Sequence, residues 1–381
     1  MDEDLKERMT GAALAFRGYN VTNLGRSGEF LRHPAYGKIA RQYLTTAGDV
    51  CAEVTGKPVD LVARVRRGRE APLRLYAEAV TLVVAMELAQ VQMLRDIHGI
   101  KVDHAKIAMG YSLGEVTAVC CGGLIGMEDV LRIPLSMAKD CAELSKDVTL
   151  GVLFSRGPAL DMKVVNDLCQ RLNTRGKGVI GVSSILSPNT VLLLGQKNTI
   201  NQFKNNMGKL LHPKIHLRIN PRRWPPLHTP IMWQRSVPNR AAVMMHTIPI
   251  VPSTPRPPVL SLVTGRTRYN ESNTRDLLHR WVDHPQRLWD GVYRLLTLGV
   301  ETVIHIGPEP NLVPATFKRL SANVQEQVSG RSLGSLGLRA ASAMVSRQWL
   351  GALLPKRTAL LRAPKVRHII LEDWLLDQPV P

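Results

Sequence analysis

A serine between two glycines is the group in this sequence best placed to do chemistry. Residues 110–114, Gly-Tyr-Ser-Leu-Gly, lie between an apolar segment typical of a buried strand (107–109) and one typical of a buried helix (116–125). This is the nucleophile-elbow pattern, and it needs the two glycines because a Cβ at either position would clash in so sharp a turn. The turn lifts the Ser112 hydroxyl clear of the sheet and places the Leu113 N–H at a helix N-terminus, where it can stabilise an oxyanion. The pattern predicts a catalytic serine; the competing interpretation is a plain strand–loop–helix turn.

The composition indicates a protein with a large aliphatic core and without export or membrane signals. The chain has 381 residues, 44% of them hydrophobic and 5% aromatic, enough for one large α/β domain with an insertion or for two domains. No apolar run reaches the length of a membrane-spanning helix, and residues 1–8 are charged, unlike a signal peptide. The five cysteines show no Cys-x-x-Cys or Cys/His metal spacing. We therefore expect a cytoplasmic protein with reduced thiols and no metal site.

The formal net charge of +19 is the most unusual feature of the composition, and it implies anionic partners. These could be nucleic acid, a membrane surface, phosphorylated cofactors or an acidic protein. The basic residues are scattered and are not interleaved with aromatic residues as single-strand nucleic-acid binders require. We therefore expect no nucleic-acid partner and no membrane partner, and we interpret the basic cluster at residues 64–69 as a solvated surface loop.

The periodicity of apolar residues predicts an α/β-hydrolase-like core on both sides of a central insertion. A first strand is predicted at residues 12–16, and the helices of the first half are predicted at residues 24–31, 35–54, 73–98 and 128–146. After a proline-rich, irregular stretch at 221–258, the predicted elements are a strand at 259–263, helices at 274–281 and 286–298, a strand at 302–306 and a helix at 312–319. We assign the core to residues 10–147 and 221–325.

The segment between these two parts has a different order of elements. Residues 148–220 are predicted to form strand, helix, strand, strand, helix and strand, at 150–154, 162–172, 179–184, 190–194, 200–211 and 215–219. This βαββαβ order is that of a ferredoxin-like domain. We interpret it as a small subdomain inserted into the α/β core.

The remaining residues, 326–381, form a basic C-terminal extension. Its later part is expected to dock on the body through apolar side chains, those of Trp349, Leu350, Ile369, Ile370, Trp374 and Leu375. Disorder is the alternative for residues 329–340.

Four short motifs occur in order along the chain. They are Phe-Arg-Gly-Tyr-Asn-Val-Thr at residues 16–22, Gly-Tyr-Ser-Leu-Gly-Glu at 110–115, His-Thr-Pro-Ile-Met at 228–232 and Gly-Pro-Glu-Pro-Asn-Leu at 307–312. They resemble the Phe-Pro-Gly-Gln-Gly-Ser-Gln, Gly-His-Ser-x-Gly-Glu, His-[Ser/Thr]-Pro-x-Met and Gly-Pro-x-x-x-Leu motifs of malonyl-CoA:acyl carrier protein transacylases and of polyketide synthase acyltransferase domains. That family also carries a ferredoxin-like insertion between its serine and its histidine. The resemblance covers roughly residues 10–325.

The resemblance implies a role for each matching residue. Ser112 would be the nucleophile and His228 the base that takes its proton, which a serine hydroxyl needs at neutral pH. The oxyanion hole would consist of the N–H groups of Leu113 and Tyr19. Main-chain carbonyls from residues 283–287 would orient the histidine.

The departures from the family pattern concern the substrate. Malonyl-specific members have an arginine that pairs with the free carboxylate, and Met137 occupies that position here. Arg287 is a second candidate for the missing cation. Tyr111 replaces the histidine before the serine, and Leu186 replaces an asparagine. Residues 225–227, Pro-Pro-Leu, do not match the short motifs that mark malonyl or methylmalonyl choice in polyketide synthases. Together these changes predict a less polar acyl pocket and a neutral acyl group in place of malonyl.

The implied function is ping-pong acyl transfer in fatty-acid or polyketide biosynthesis. Acyl-CoA would be the substrate, with no bound cofactor, and acyl-Ser112 the intermediate. The phosphopantetheine thiol of an acidic acyl carrier protein would then accept the acyl group, and the basic charge of the chain fits such a partner.

Two alternatives remain open. An α/β-hydrolase-type esterase or thioesterase shares Gly-x-Ser-x-Gly, but it places an Asp or Glu between its serine and its histidine in the chain order. A catalytically degenerate carrier-docking module would explain the changes at Tyr19, Tyr111 and Met137. The intact Ser112 and His228 argue against that module.

Overall fold

The strands of the described part of the chain form two separate sheets. The computed structural model describes residues 2–329 and 348–379. Its strands are β1 (Ala12–Phe16), β2 (Ile107–Gly110), β3 (Val148–Ser155), β4 (Ile180–Ser187), β5 (Thr190–Gln196), β6 (Ile215–Arg223), β7 (Val259–Leu260), β8 (Thr302–Ile306) and β9 (Arg367–Ile370). One sheet is parallel, in the order β7-β2-β1-β8-β9, and the other is antiparallel, in the order β4-β5-β3-β6.

The α-helices cover both faces of the parallel sheet and one face of the antiparallel sheet. They are α1 (Asp2–Arg8), α2 (Ser27–Arg32), α3 (Gly37–Thr55), α4 (Leu61–Arg66), α5 (Tyr76–Asp96), α6 (Leu113–Cys121), α7 (Met127–Leu144), α8 (Met162–Asn173), α9 (Thr199–Met207), α10 (Val237–Thr247), α11 (Thr274–Trp281), α12 (Leu288–Thr297), α13 (Leu312–Ser329), α14 (Gln348–Leu353) and α15 (Leu371–Asp377). Longer 3-10 segments lie at Pro230–Ser236 and Thr358–Lys365.

The side chains of β1 show how the parallel sheet is packed. All five residues of the strand are buried. Leu14 and Phe16 belong to the large hydrophobic cluster that includes α3, α5, α6 and α7, whereas Ala13 and Ala15 belong to a second cluster with α12, α13 and α14. Successive side chains of a strand point to opposite faces, so β1 is a central strand covered on both sides. The predicted α/β class is confirmed.

The antiparallel sheet lies between β2 and β7 in the chain. Its elements follow the order β3, α8, β4, β5, α9, β6, as predicted for residues 148–220. Leu168, Val191 and Phe203 are among the residues of its own hydrophobic cluster. The last strand continues to Arg223, farther than the apolar pattern indicated, because its final residues are polar or exposed and carry no apolar signal.

Residues 221–258 are more regular than predicted. They contain the 3-10 segment Pro230–Ser236 and helix α10, whose buried residues include Val237 and Ala241. The prolines of this stretch conceal the helix in the sequence, since Pro238 lies in its first turn, where proline is tolerated. Strand β7 is in turn shorter than the predicted 259–263, because the Leu262 N–H donates to the Glu115 carboxylate (3.0 Å) instead of to a neighbouring strand.

Two expectations about surface and membrane segments need correction. The basic cluster 64–69 is a solvated loop only in its second part: residues 66–69 are exposed, whereas Arg64 lies within α4 and its Nε donates to the Glu78 carboxylate at 2.7 Å. The helical segment Leu73–Asp96 is long and apolar enough to cross a membrane, although no such run was expected from the sequence. Because 83% of its most apolar window is buried in the fold, we describe it as a core helix.

The C-terminal extension contributes to the main sheet. Strand β9 pairs in parallel with β8 and so forms one edge of that sheet. Trp349, Leu350 and Leu375 are buried, and Glu372 accepts backbone N–H bonds from Arg26 (3.0 Å) and Glu309 (2.6 Å). The extension is therefore part of the α/β core from residue 348 to residue 379. Most of the segment 329–340, for which disorder was the alternative, lies outside the described residues.

Candidate active site

Ser112 occupies a turn that only a few residue types permit. It lies between β2 and α6 with φ +53° and ψ −115°. A Cβ added to Gly110 would lie 1.9 Å from the Gly114 carbonyl carbon, and one added to Gly114 would lie 2.5 Å from the Phe16 carbonyl oxygen. The two glycines are therefore required by close backbone approach, and the segment has the geometry of a nucleophile elbow.

His228 lies beside this serine. Its Nε2 is 2.7 Å from the Ser112 Oγ, and its Nδ1 is 2.7 Å from the main-chain oxygen of Trp281. A carbonyl oxygen only accepts, so Nδ1 carries the proton and the Nε2 lone pair faces the serine hydroxyl. This is the tautomer that a general base needs.

The environment of His228 keeps the imidazole neutral. The residue is 5% exposed, and burial lowers its pKa from 6.5 to about 4; the Trp281 carbonyl and the charge of Asp283 act in the opposite direction. The ring also packs edge-to-face on Trp281, with ring centroids 5.3 Å apart. At neutral pH the ring is thus ready to accept a proton, and it would release that proton readily afterwards.

The side chains of Gln286, from the segment predicted only for its carbonyls, and of Trp281, which the sequence did not single out, hold the backbone of the elbow. The Gln286 side-chain oxygen accepts from the Ser112 N–H at 3.0 Å, and the Trp281 Nε1 donates to the Ser112 carbonyl at 2.8 Å. Trp281 therefore contacts both the serine backbone and the histidine ring. The predicted orienting segment, 283–287, is wrong by a short distance, because the carbonyl that binds His228 Nδ1 belongs to Trp281. No sequence pattern marks this tryptophan apart from its place on the apolar face of α11.

The loop after β1 lies against the elbow. A Cβ added to Gly18 would lie 2.8 Å from the Tyr111 carbonyl oxygen and 3.3 Å from the Ser112 Cβ. The next residue, Tyr19, lines the cavity next to Ser112, and Leu113 is the first residue of α6. The two N–H groups suggested for an oxyanion hole thus lie on the two backbone segments that border the serine.

A cavity of about 380 Å³ opens beside Ser112 between the two sheets. Its lining includes Tyr111, Leu186 and Leu227, three of the positions at which the sequence departs from the family pattern. Burial raises the pKa of Tyr111 to about 12, so its phenol stays neutral. Trp289 and Trp349, the latter from the C-terminal extension, also line the cavity and contact each other edge-to-face at 5.9 Å.

Two predicted substrate-binding residues do not line this cavity. Met137 is 1% exposed and packs in the large hydrophobic cluster under α7. Arg287 donates to the Asp290 carboxylate at 2.6 Å, on the partly exposed first turn of α12. The cavity wall also carries the rings of Tyr19 and Tyr76, whose centroids are 4.9 Å apart.

A buried carboxyl group lies one turn beyond the serine. Glu115 accepts hydrogen bonds from the Leu262 N–H (3.0 Å) and the Tyr269 hydroxyl (2.8 Å). Burial raises its pKa to about 7. These contacts join α6 to the segment after β7, so Glu115 supports the elbow. Within residues 2–329 and 348–379, no group of three or more His, Cys, Asp or Glu side chains could hold a metal ion.

Comparison with known proteins shows what the arrangement is similar to. No family sequence model and no curated protein matches the chain by sequence. Among solved structures, the malonyl-CoA:acyl carrier protein transacylase of Xanthomonas oryzae superposes with a TM-score of 0.64 at 18% identity, over 91% of this chain and 98% of that chain. A type II polyketide malonyl-transacylase in complex with its acyl carrier protein gives 0.62 at 20% identity, over 80% and 91%. The acyltransferase domain of the second salinomycin synthase module gives 0.60 at 18%, over 80% and 65%. The chain therefore has the fold of malonyl-CoA:acyl carrier protein transacylases and polyketide synthase acyltransferase domains.

Proposed function

We propose that this protein is an acyltransferase that moves an acyl group from acyl-CoA to an acyl carrier protein through an acyl-Ser112 intermediate. The observation that carries the proposal is the 2.7 Å contact between the Ser112 Oγ and His228 Nε2, on an elbow in this fold. A paired serine and histidine in an apolar cavity suits attack on a thioester carbonyl.

The first half-reaction acylates the serine. Ser112 Oγ attacks the thioester carbon as its proton passes to His228 Nε2, and the N–H groups of Leu113 and Tyr19 bind the developing oxyanion. Collapse of the tetrahedral intermediate breaks the C–S bond, and the histidinium protonates the CoA thiolate. The pKa of a thiol is roughly 8.5, well above that of the buried His228, so this proton transfer is downhill.

The second half-reaction reverses these steps with a new thiol. His228 removes the proton of the carrier's phosphopantetheine thiol, the thiolate attacks acyl-Ser112, and the serine leaves with the proton from His228. The intermediate persists until a thiol arrives, provided that water is excluded from the cavity.

The lining of the cavity supports a neutral acyl group. The described lining residues include two arginines. Arg17 is buried, and its guanidinium donates to protein oxygens of Gly18, Thr22 and Asn23. Arg319 is exposed on α13 at the edge of the cavity. A malonyl carboxylate inside would therefore be buried without a charge partner, which is costly.

The charge of the small subdomain supports an acidic carrier as acceptor. Residues 148–223 contain twelve Lys/Arg and two Asp/Glu. They include exposed residues of the edge strand β6, among them Arg218, Arg222 and Arg223. Complementary charge accelerates association, and the effect weakens as salt is added. Carrier acylation is therefore expected to slow with ionic strength, whereas the acylation of Ser112 by a neutral probe is expected to change little.

Intact mass spectrometry after incubation with malonyl-, acetyl- and longer acyl-CoA tests the proposal. Neutral acyl groups should add to the protein faster than malonyl, and Ser112→Ala should abolish the adduct. Ser145→Ala, which changes a buried serine bonded to the Ala142 carbonyl, is the matched control and should acylate normally. Faster labelling by malonyl would refute the neutral-acyl part, and no adduct from any acyl-CoA would favour the degenerate docking module. Rapid loss of the adduct to water without a thiol would favour an esterase.

A further inference from the structure

Arg17 is buried beside the elbow in an unusual way for a charged residue. It is 3% exposed at the C-terminal end of β1, and its guanidinium donates in several directions. The Nε donates to the Gly18 carbonyl (2.8 Å), and Nη2 to the Thr22 carbonyl (3.2 Å) and the Asn23 side-chain oxygen (3.1 Å). The Nη1 donates to the carbonyl of Pro308, in the loop after β8. One side chain thus ties together the two loops that end the central strands.

The bond to Gly18 has a consequence for the neighbouring residue. The Gly18 carbonyl and the Tyr19 N–H belong to the same peptide unit, which is planar and, when trans, points these groups in opposite directions. A guanidinium fixed on the carbonyl oxygen therefore fixes the direction of the N–H. Donation to the carbonyl also polarises the amide, which makes its N–H a stronger donor. The peptide lies next to Ser112, because a Cβ on Gly18 would be 3.3 Å from the Ser112 Cβ.

Carboxylates around Arg17 stabilise both its charge and the loop. Glu70 accepts from the backbone N–H groups of Asn23 (2.9 Å) and Leu24 (3.1 Å), and Glu372 of the C-terminal extension accepts from that of Glu309 (2.6 Å). A buried cation needs such compensation, since an unpaired one is strongly destabilising. Burial of the loop alone would not require a buried guanidinium surrounded by carboxylates.

We propose that Arg17 is a positioning residue that orients and polarises the Gly18–Tyr19 peptide so that the Tyr19 N–H completes the oxyanion site facing Ser112. The inference rests on the proposed function in that Ser112 acts as a nucleophile, but it does not depend on which acyl group or carrier is used. Lysine cannot replace this arginine, because an ammonium group has only three N–H donors and lacks the planar fork that serves four acceptors at once.

A fluorophosphonate probe tests the proposal without any acyl-CoA. Ser112 Oγ attacks phosphorus, fluoride leaves, the serine proton passes to His228, and the phosphoryl oxygen takes the oxyanion position. We expect Arg17→Ala and Arg17→Lys to label about 10²-fold more slowly than the wild type, as when an oxyanion donor is lost. Guanidinium, at a concentration too low to unfold the protein, should restore about tenfold of the rate in Arg17→Ala, whereas equimolar urea should not.

Arg64→Ala is the matched control. It removes another arginine of low exposure, one that pairs with Glu78 in a different part of the core, and its labelling rate should equal that of the wild type. Labelling of Arg17→Ala within about twofold of the wild type would overturn the proposal. If Arg17→Ala does not fold, Arg17→Lys, which keeps the charge, decides by the same criterion.

Hydrogen exchange separates failure of this proposal from failure of the proposed function. If the wild-type Ser112 takes no probe, the nucleophile assignment fails, and the amide exchange of residues 18–23 then decides the role of Arg17. Faster exchange there in Arg17→Ala than in Arg64→Ala supports the positioning role. Equal exchange in the two variants overturns it.

Discussion

The pH dependence of Ser112 reactivity should report the buried state of His228. Burial lowers the pKa of this histidine from 6.5 to about 4, which corresponds to about 3 kcal/mol in favour of the neutral ring. At pH 5 about nine-tenths of the rings would be neutral with this pKa, against about 3% with an unperturbed one. We therefore expect the rate of fluorophosphonate labelling to stay nearly constant from pH 8 to pH 5 and to fall by half near pH 4.

Short pulses of probe at each pH, followed by quenching and intact mass measurement, would give this profile before slow unfolding interferes. Circular dichroism at the same pH values is the control for folding. Asp283→Asn removes a negative charge that raises the pKa of His228, so its midpoint should move lower, not higher. A midpoint near 6.5 in the wild type would show a hydrated histidine and would refute the assignment of a buried base.

The same shift has a consequence for stability. A histidine with a lowered pKa in the folded state binds fewer protons than in the unfolded chain between pH 4 and 6.5. Its contribution to stability is therefore complete above about pH 6.5 and is lost as the pH falls towards 4. His228→Gln should remove this part of the acid dependence of the unfolding free energy.

Three further changes test the core around the site. Gly114→Ala should lower the unfolding free energy by about 3 kcal/mol or more, because its Cβ would lie 2.5 Å from a carbonyl oxygen of β1. Gly208→Ala, which has right-handed helical backbone at the end of α9 and nothing within 4 Å, should be nearly neutral in the same urea titrations. Met137→Arg should lower the unfolding free energy by about 3–5 kcal/mol, because it places an unpaired charge in the core. It should not increase malonyl transfer, and such an increase would mean that this side chain faces the acyl pocket. Glu115→Gln should flatten the dependence of the unfolding free energy on pH between 4.5 and 7. A carboxyl whose pKa is raised to about 7 in the folded state stabilises the fold fully below pH 4.5, and this contribution is lost as the pH rises through 7. An unchanged profile would contradict the raised pKa.

Local patterns in the sequence were sufficient for the elbow and for the small subdomain. The spacing of Gly110, Ser112 and Gly114 encodes a turn whose constraints are steric and extend over five residues. The βαββαβ order of residues 148–220 follows from apolar periodicity and turn residues, which also act over short distances. Helix α10 was missed because prolines around it mask the periodicity.

Sequence position did not predict the environment of side chains that depends on how a helix packs. Met137 was predicted to line the acyl pocket because it occupies the position of the family's arginine, yet it packs in the main core. An apolar residue on α7 fits either environment, so the sequence cannot distinguish a cavity wall from a core. Arg287 was a candidate because of its charge, but that charge pairs with Asp290 in the first turn of α12.

The sequence, through the resemblance of its motifs, therefore already paired Ser112 with His228, and only the tertiary structure decided which main-chain groups orient them. In the sequence, the inserted subdomain separates Ser112 from His228, so their contact depends on tertiary packing. The partner of His228 Nδ1 is a main-chain oxygen, which any residue at position 281 would provide. Arg17 acts on the carbonyl of Gly18, again a backbone group without a sequence signature. Contacts through backbone atoms leave no mark on residue identity, and contacts between distant segments depend on the packing of both sheets.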